Sequence, residues 1–150
     1  MWEAYGSLGD ARGFVRYIQR LYRNDEPSSW GITLPRTGKL IGTIGFMWWN
    51  KDYRSAEVGY SLSRDYWNQG IMTEALSLII DFGFKRMRLN RIEAQHVVAN
   101  AASGRVMEKC GMKKEGILRG RIYSKGEFRD MAMYAILKDD RRITLPSFRT

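Results

Sequence analysis

Glu57 is the residue in this chain most suited to do chemistry. It lies in Ala56-Glu57-Val58-Gly59-Tyr60-Ser61-Leu62, a run that otherwise alternates apolar and small residues. Strand alternation puts Ala56, Val58, Tyr60 and Leu62 on one face and Glu57, Gly59 and Ser61 on the other. A carboxylate among small residues on a central strand is a candidate proton acceptor, because burial would raise its pKa toward neutrality. It could equally pair with an arginine or sit at the rim of a sheet. Farther along comes Asn68-Gln69-Gly70-Ile71-Met72-Thr73, a glycine loop where a helix begins. Unpaired N–H groups and the positive end of the helix dipole meet there, and glycine lets an anion approach the backbone. The loop reads as a phosphate cradle, though it has neither the Gly-Lys-Ser/Thr of a P-loop nor a three-glycine dinucleotide pattern. Asn100-Ala101-Ala102-Ser103 opens a further helix, with Asn100 as its cap.

The surrounding pattern predicts the elements that hold these residues. Apolar residues from Leu8 to Tyr22 recur at helical spacing, giving a helix over Ser7–Arg23 with a capping box at Ser7-Leu8-Gly9-Asp10. Trp30–Leu34, Lys39–Trp49 and Ala56–Leu62 read as an antiparallel meander, with a loop over Asn24–Ser29 and turns at Pro35–Gly38 and Asn50–Arg54. Trp48 and Trp49 point to opposite faces, one to the core and one toward a cleft. The helix after Gly70 carries a wide apolar face through Met87, and Leu78 with Phe82 adds a second stripe, so burial on more than one side is expected. Arg91–Val98 is a strand and Ala101–Cys110 a short helix ending at Gly111. Met112–Leu118, Ile122–Tyr123 and Phe128–Leu137 close with a hairpin around Ser124-Lys125-Gly126. A strand–helix–strand passage among antiparallel strands implies a mixed α/β sheet.

The 150 residues suit one domain, and 44% hydrophobic content excludes a disordered chain. One Cys and one His exclude a zinc site of the usual kind, and no metal is expected. No apolar run is long enough to span a membrane, and the first residues lack a signal-peptide plan. The lone Cys110 fits a reducing, cytoplasmic setting. A net charge of +9 attracts polyanions. Its basic residues scatter over helices and turns, so no specific nucleic acid is expected as partner. His96, mid-strand, reads as structural, and Cys110 has no base to activate it.

The ordered set Ala56–Tyr60, Trp67–Ala75, Asn100–Ser103, Glu108–Met112, Glu115–Arg119 and Gly126–Asp130 resembles the GNAT-superfamily N-acetyltransferases, in their RimJ/RimL-like branch. The resemblance implies a mixed, mostly antiparallel sheet with helices on both faces and a splayed central strand pair. It implies acetyl-CoA as cofactor, with the pyrophosphate on Asn68, Gln69, Gly70, Ile71, Met72 and Thr73. The pantetheine arm would run beside Val58, Tyr60, Ser61 and Leu62, and Asn100 would help place it. Glu57 is then the base that deprotonates a primary amine, directly or through water, and a backbone N–H of Val58–Leu62 the oxyanion donor. Many members carry a tyrosine where this chain has Met107; Ser103 takes over as the donor to the departing sulfur.

The implied unit is residues 1–138, followed by a polar basic tail, 139–150, expected to be loosely held. The strand and helix that usually open the family have no counterpart ahead of Ser7–Arg23: either the domain is short or this chain is not the full product, and a missing edge strand would leave backbone for a partner, such as a second copy in a homodimer, to cover. The acceptor implied first is the N-terminal α-amino group of a ribosomal or other protein, with possible ribosome association. The alternatives are a small amine (polyamine, amino-acid derivative or antibiotic) or a catalytically silent acyl-CoA sensor.

Overall fold

Helix α1 spans Leu8–Arg23, and the meander follows as β1 (Ser29–Thr33), β2 (Leu40–Asn50) and β3 (Ser55–Leu62). A 3₁₀ turn at Arg64–Tyr66 leads to α2 (Ile71–Lys85), β4 (Arg91–Val97) and α3 (Ala101–Lys109). The hairpin β5 (Lys113–Ser124) and β6 (Glu127–Leu137) and a 3₁₀ segment at Lys138–Ile143 close the chain. This computed structural model describes residues 8–24, 26 and 28–143; the expected capping box at Ser7 and the tail from 144 lie outside them.

The strands form one sheet in the order β1-β2-β3-β4-β6-β5. All neighbours are antiparallel except β3 and β4. That parallel pair needs a crossover, and α2 supplies it. Cross-strand partners share a face, so Ile44, Phe46, Ala56, Val58, Ile92, Ala94, Ala132, Tyr134 and Ile136 form one apolar floor. Met72, Leu76, Ile79, Ile80 and Phe84 of α2 and Met107 of α3 pack onto it. The core therefore lies on one side of the sheet. Glu57, Glu93 and Gln95 belong to the other side, along with Val97 and Met131. Leu21 near the end of α1 is buried, whereas Val15 is exposed.

Three expectations are corrected. Leu78 and Phe82 do not bury a second side of α2: they are 64% and 41% exposed, and Phe82 meets the Trp30 ring edge to face. One stripe suffices because a single sheet face covers the helix. The stretch between Leu118 and Ile122 is not a break but part of a continuous β5, whose register shifts there. The tail is held at its start. Asp140 accepts from the Leu137 N–H and from Lys113 Nζ, the Lys138 N–H bonds Asn90 O, and Arg141 pairs with Asp81 of α2.

Leu76 has no exposed surface, so Leu76→Ala is expected to cost about 2–5 kcal/mol. Leu78→Ala is expected to stay within about 0.5 kcal/mol of the parent. Urea unfolding of the two variants measures both, and equal losses would restore the two-sided burial of α2.

Candidate active site

Strands β3 and β4 touch through three consecutive pairs, Ser55 with Arg91, Ala56 with Ile92 and Glu57 with Glu93, and no farther. Beyond that point β4 keeps its full ladder with β6, and β3 keeps its ladder with β2 as far as Leu62. The two strands part, and the edge of β3 from Val58 onward faces a gap. An unpaired backbone edge needs water or a ligand to satisfy it. Both helices that follow the parted strands begin at this end, α2 after β3 and α3 after β4.

The start of α2 has no side-chain cap. Its N-cap is Gly70, at φ 79°, and nothing lies within 4 Å of where a Cβ would project. Asn68 is also left-handed, at φ 60°. Alternating left-handed residues ahead of an uncapped helix leave N–H groups turned outward, which is an anion-binding geometry. The loop is anchored from behind. Trp67 Nε1 donates to Leu62 O at 2.9 Å, and Gln69 Nε2 to Asp65 O at 3.2 Å. Met72 buries its side chain in the core, so only its backbone faces the loop's concave side. α3 differs, because Asn100 caps it: Oδ1 accepts the Ser103 N–H at 3.4 Å, and Nδ2 donates to Ser103 Oγ at 3.0 Å.

Two bonds tie these parts together. The Tyr60 hydroxyl of β3 donates to Ser103 O at 3.1 Å, and Cys110 Sγ–H donates to Thr73 O at 3.3 Å. Burial pushes the pKa of both groups up, so both remain protonated donors. Cys110 is thus a strut between α3 and the first turn of α2. Ser61 bonds Thr43 on β2 through the two hydroxyls, 3.0 Å apart. His96 is buried beneath α3, its Nδ1 2.9 Å from Val97 O, and a Cβ on Gly104 would meet its Nε2 at 2.8 Å.

Glu57 sits at the root of the gap, where the strands still touch. It is half-buried. Its two oxygens are held separately: Trp48 Nε1–H donates to Oε2 at 2.7 Å and Gln95 Nε2–H to Oε1 at 2.8 Å. Trp48 reaches it because β2 carries an extra residue, Met47, between the pairs Phe46–Val58 and Trp48–Glu57. The bulge turns Trp49 toward the core and Trp48 toward the carboxylate. It also lays Met47 across Gly59, where a Cβ would meet its Sδ at 2.7 Å. Neither arginine pairing nor a place on the rim describes Glu57.

The neighbouring carboxylates are neutralised. Arg91 Nε donates to Glu93 at 2.8 Å, and its two terminal nitrogens grip Glu115 at 2.9 and 2.6 Å. The grip of Glu115 is the chief reason the Arg91 pKa rises, and the same bond lowers the pKa of Glu115. The sequence does not single out Gln95, and it suggests Arg91 only as part of a helix-end charge cluster with Lys85, Arg86 and Arg88. Their shared signal there is alternation, which puts Arg91, Glu93 and Gln95 on a common face.

The arrangement matches known proteins. The model of the acetyltransferase (GNAT) domain matches residues 2–113. The chain belongs to the GNAT acetyltransferases. It is 36% identical over 132 residues to the uncharacterized N-acetyltransferase YoaA of Bacillus subtilis (strain 168), covering 88% of this chain and 75% of that one. A solved ribosomal-protein-S5-alanine acetyltransferase from Vibrio fischeri shares the fold at TM-score 0.82 and 26% identity, over 93% of this chain and 79% of its own. A spermidine N-acetyltransferase from Vibrio cholerae, at 21% identity and TM-score 0.76 over 91% and 80%, shares the fold alone. The cofactor of the family is acetyl-CoA, and solved neighbours carry it or coenzyme A. The uncapped α2 start and the open edge of β3 fit that cofactor's phosphates and its amide-bearing arm. Among the described residues there is no group of three or more metal-ligating side chains, and no helix is long and apolar enough to cross a membrane.

The Arg91 clamp gives a pH dependence with a definite sign. A lowered carboxyl pKa contributes stability that is complete above the ordinary value of 4.5 and is lost as pH falls below it. Glu115→Gln is expected to lower the urea midpoint at neutral pH, and the gap to the parent should close in strong acid. A gap constant across pH would remove the clamp's ionic role.

Proposed function

We propose that this acetyltransferase modifies the N-terminal α-amino group of a protein, with Glu57 as proton acceptor. One observation carries the choice of acceptor. Arg91 occupies Glu93 and Glu115, so Glu57 is the carboxylate of that cluster without a cation among the described residues. A single free carboxylate suits a single ammonium, whereas a polyamine would find no second. The amine's own chemistry agrees: an α-amino group has a pKa of about 7.7–8.0 against about 10.4 for a lysine-type amine, so it yields its proton more readily near neutral pH. The ribosomal-protein acetyltransferase among the solved relatives, with the +9 charge, supports a ribosomal protein as acceptor and a cytoplasmic, ribosome-associated setting.

Acetyl-CoA supplies an acyl carbon already activated as a thioester. Asn68 to Thr73 would hold its pyrophosphate through the free N–H groups of α2. Val58, Tyr60, Ser61 and Leu62 would hold the pantetheine arm through the backbone left open by β4. Glu57 takes the proton from the incoming ammonium, with its oxygens fixed by Trp48 and Gln95. The Ser103 hydroxyl accepts from Asn100 and keeps its own hydrogen to donate toward the sulfur. We assign this machinery to residues 1–138.

The test is thiol release from acetyl-CoA with N-terminal peptides and with spermidine as acceptors. Peptides are expected to be preferred, and Glu57→Gln to lower kcat by about 10²–10⁴-fold. Equal turnover on spermidine would overturn the acceptor, and an undiminished variant would overturn the base. Arg91→Gln frees two carboxylates and is expected to shift the preference toward spermidine.

Trp48→Phe removes one hydrogen bond to a charged group and is expected to lower kcat about tenfold. The KM for acetyl-CoA should hold. A rise in that KM with kcat intact would place Trp48 in cofactor binding instead.

A further inference from the structure

Beyond Glu115 at its base, the β5–β6 hairpin carries none of the residues assigned above. Its loop is the pair Lys125-Gly126, both at positive φ (54° and 82°), as a tight two-residue type I′ hairpin requires. Tyr123 and Phe128 are partners across the ladder just behind it. Their rings stand edge to face with centroids 5.1 Å apart, and the residues are 67% and 73% exposed. The two rings together offer a continuous exposed aromatic surface at the turn.

Behind the rings β5 bulges between Leu118 and Ile122. Gly120, at φ 57°, donates its N–H to Asp130 Oδ1 at 2.7 Å, which fixes the bulge from the opposite strand. Arg119 and Arg121 flank that glycine. Both are exposed, as is Lys125 at the turn, and none of the three has an ion-pair partner among the described residues. The carboxylates of the hairpin are engaged elsewhere: Glu115 with Arg91, Glu127 with Arg129, and Asp130 with the Gly120 N–H. The hairpin therefore presents free cations around an exposed aromatic pair on a stiff turn.

We propose that this hairpin docks single-stranded RNA, its phosphates on Arg119, Arg121 and Lys125 and its bases stacked on Tyr123 and Phe128. Cations that follow a backbone, interleaved with rings that offer a π-face, are what sequence-tolerant single-strand binding uses. An acidic peptide would satisfy the cations and leave the rings without stacking partners. A second copy of this chain would bring the same cations against these, under a net charge of +9 on each. The inference is independent of which amine is acetylated. It also departs from the expectation that the basic residues are merely scattered, because Arg119, Arg121 and Lys125 lie on the same hairpin as the aromatic pair.

Fluorescence anisotropy with the full chain and a labelled, unstructured RNA of roughly 12 nucleotides tests it, a length within the usual site sizes. Binding is expected to weaken with salt. Tyr123→Ala and Phe128→Ala should each weaken it about tenfold. Arg119→Gln with Arg121→Gln should reduce the slope of log K against log salt by about 1.4. Circular dichroism checks that each variant stays folded. Absence of binding, or binding that none of these variants changes, would overturn the proposal. So would a fall in sedimentation mass in the variants, which would assign the hairpin to self-association.

Discussion

The site depends on where β3 and β4 stop pairing. The pair runs only to Glu57 and Glu93, while each strand goes on pairing with its outer neighbour. The separation therefore costs the hydrogen bonds of one short edge and leaves the sheet whole. It opens the sheet interior at the end where two helices begin, and it leaves a carboxylate at the closed end of the gap. The Tyr60–Ser103 bond spans between the strand and the helix on either side of the gap, so the opening is held at a set width.

Glu57 and its neighbours show how one cluster can contain carboxylates of different character. Glu93 and Glu115 answer a guanidinium, and their charge is spent on structure. Glu57 is met by an indole and an amide, which orient it while leaving its charge uncompensated. Neutral donors thus fix the group's position without supplying the counter-ion that an incoming ammonium would have to displace.

Much of this was legible in the residue pattern. Helix α2, the α3 cap at Asn100, the meander and the mixed sheet follow from local periodicity and turn chemistry, and local signals suffice for them. The buried face of α2 was legible, but its second stripe was not, because amphipathicity does not say how many neighbours a helix has. The partners of Glu57 were out of reach. Trp48 depends on a bulge and Gln95 on the register of a parallel pair, and neither is written in the segment where the residue sits. The Arg91 clamp likewise joins β4 to a residue two strands away in the sheet, across β6.

The extra residue at Met47 turns a count into an address. Side chains on a strand alternate strictly, so one inserted position reverses the facing of all that follows it. Trp48 and Trp49 are adjacent and chemically identical, and which of them meets the carboxylate is decided by that insertion alone. A homologue that lost the bulge while keeping both tryptophans would align without a substitution at either position. It would nonetheless present the other indole to Glu57, so the length of β2 is as much a part of this site as the residues in it.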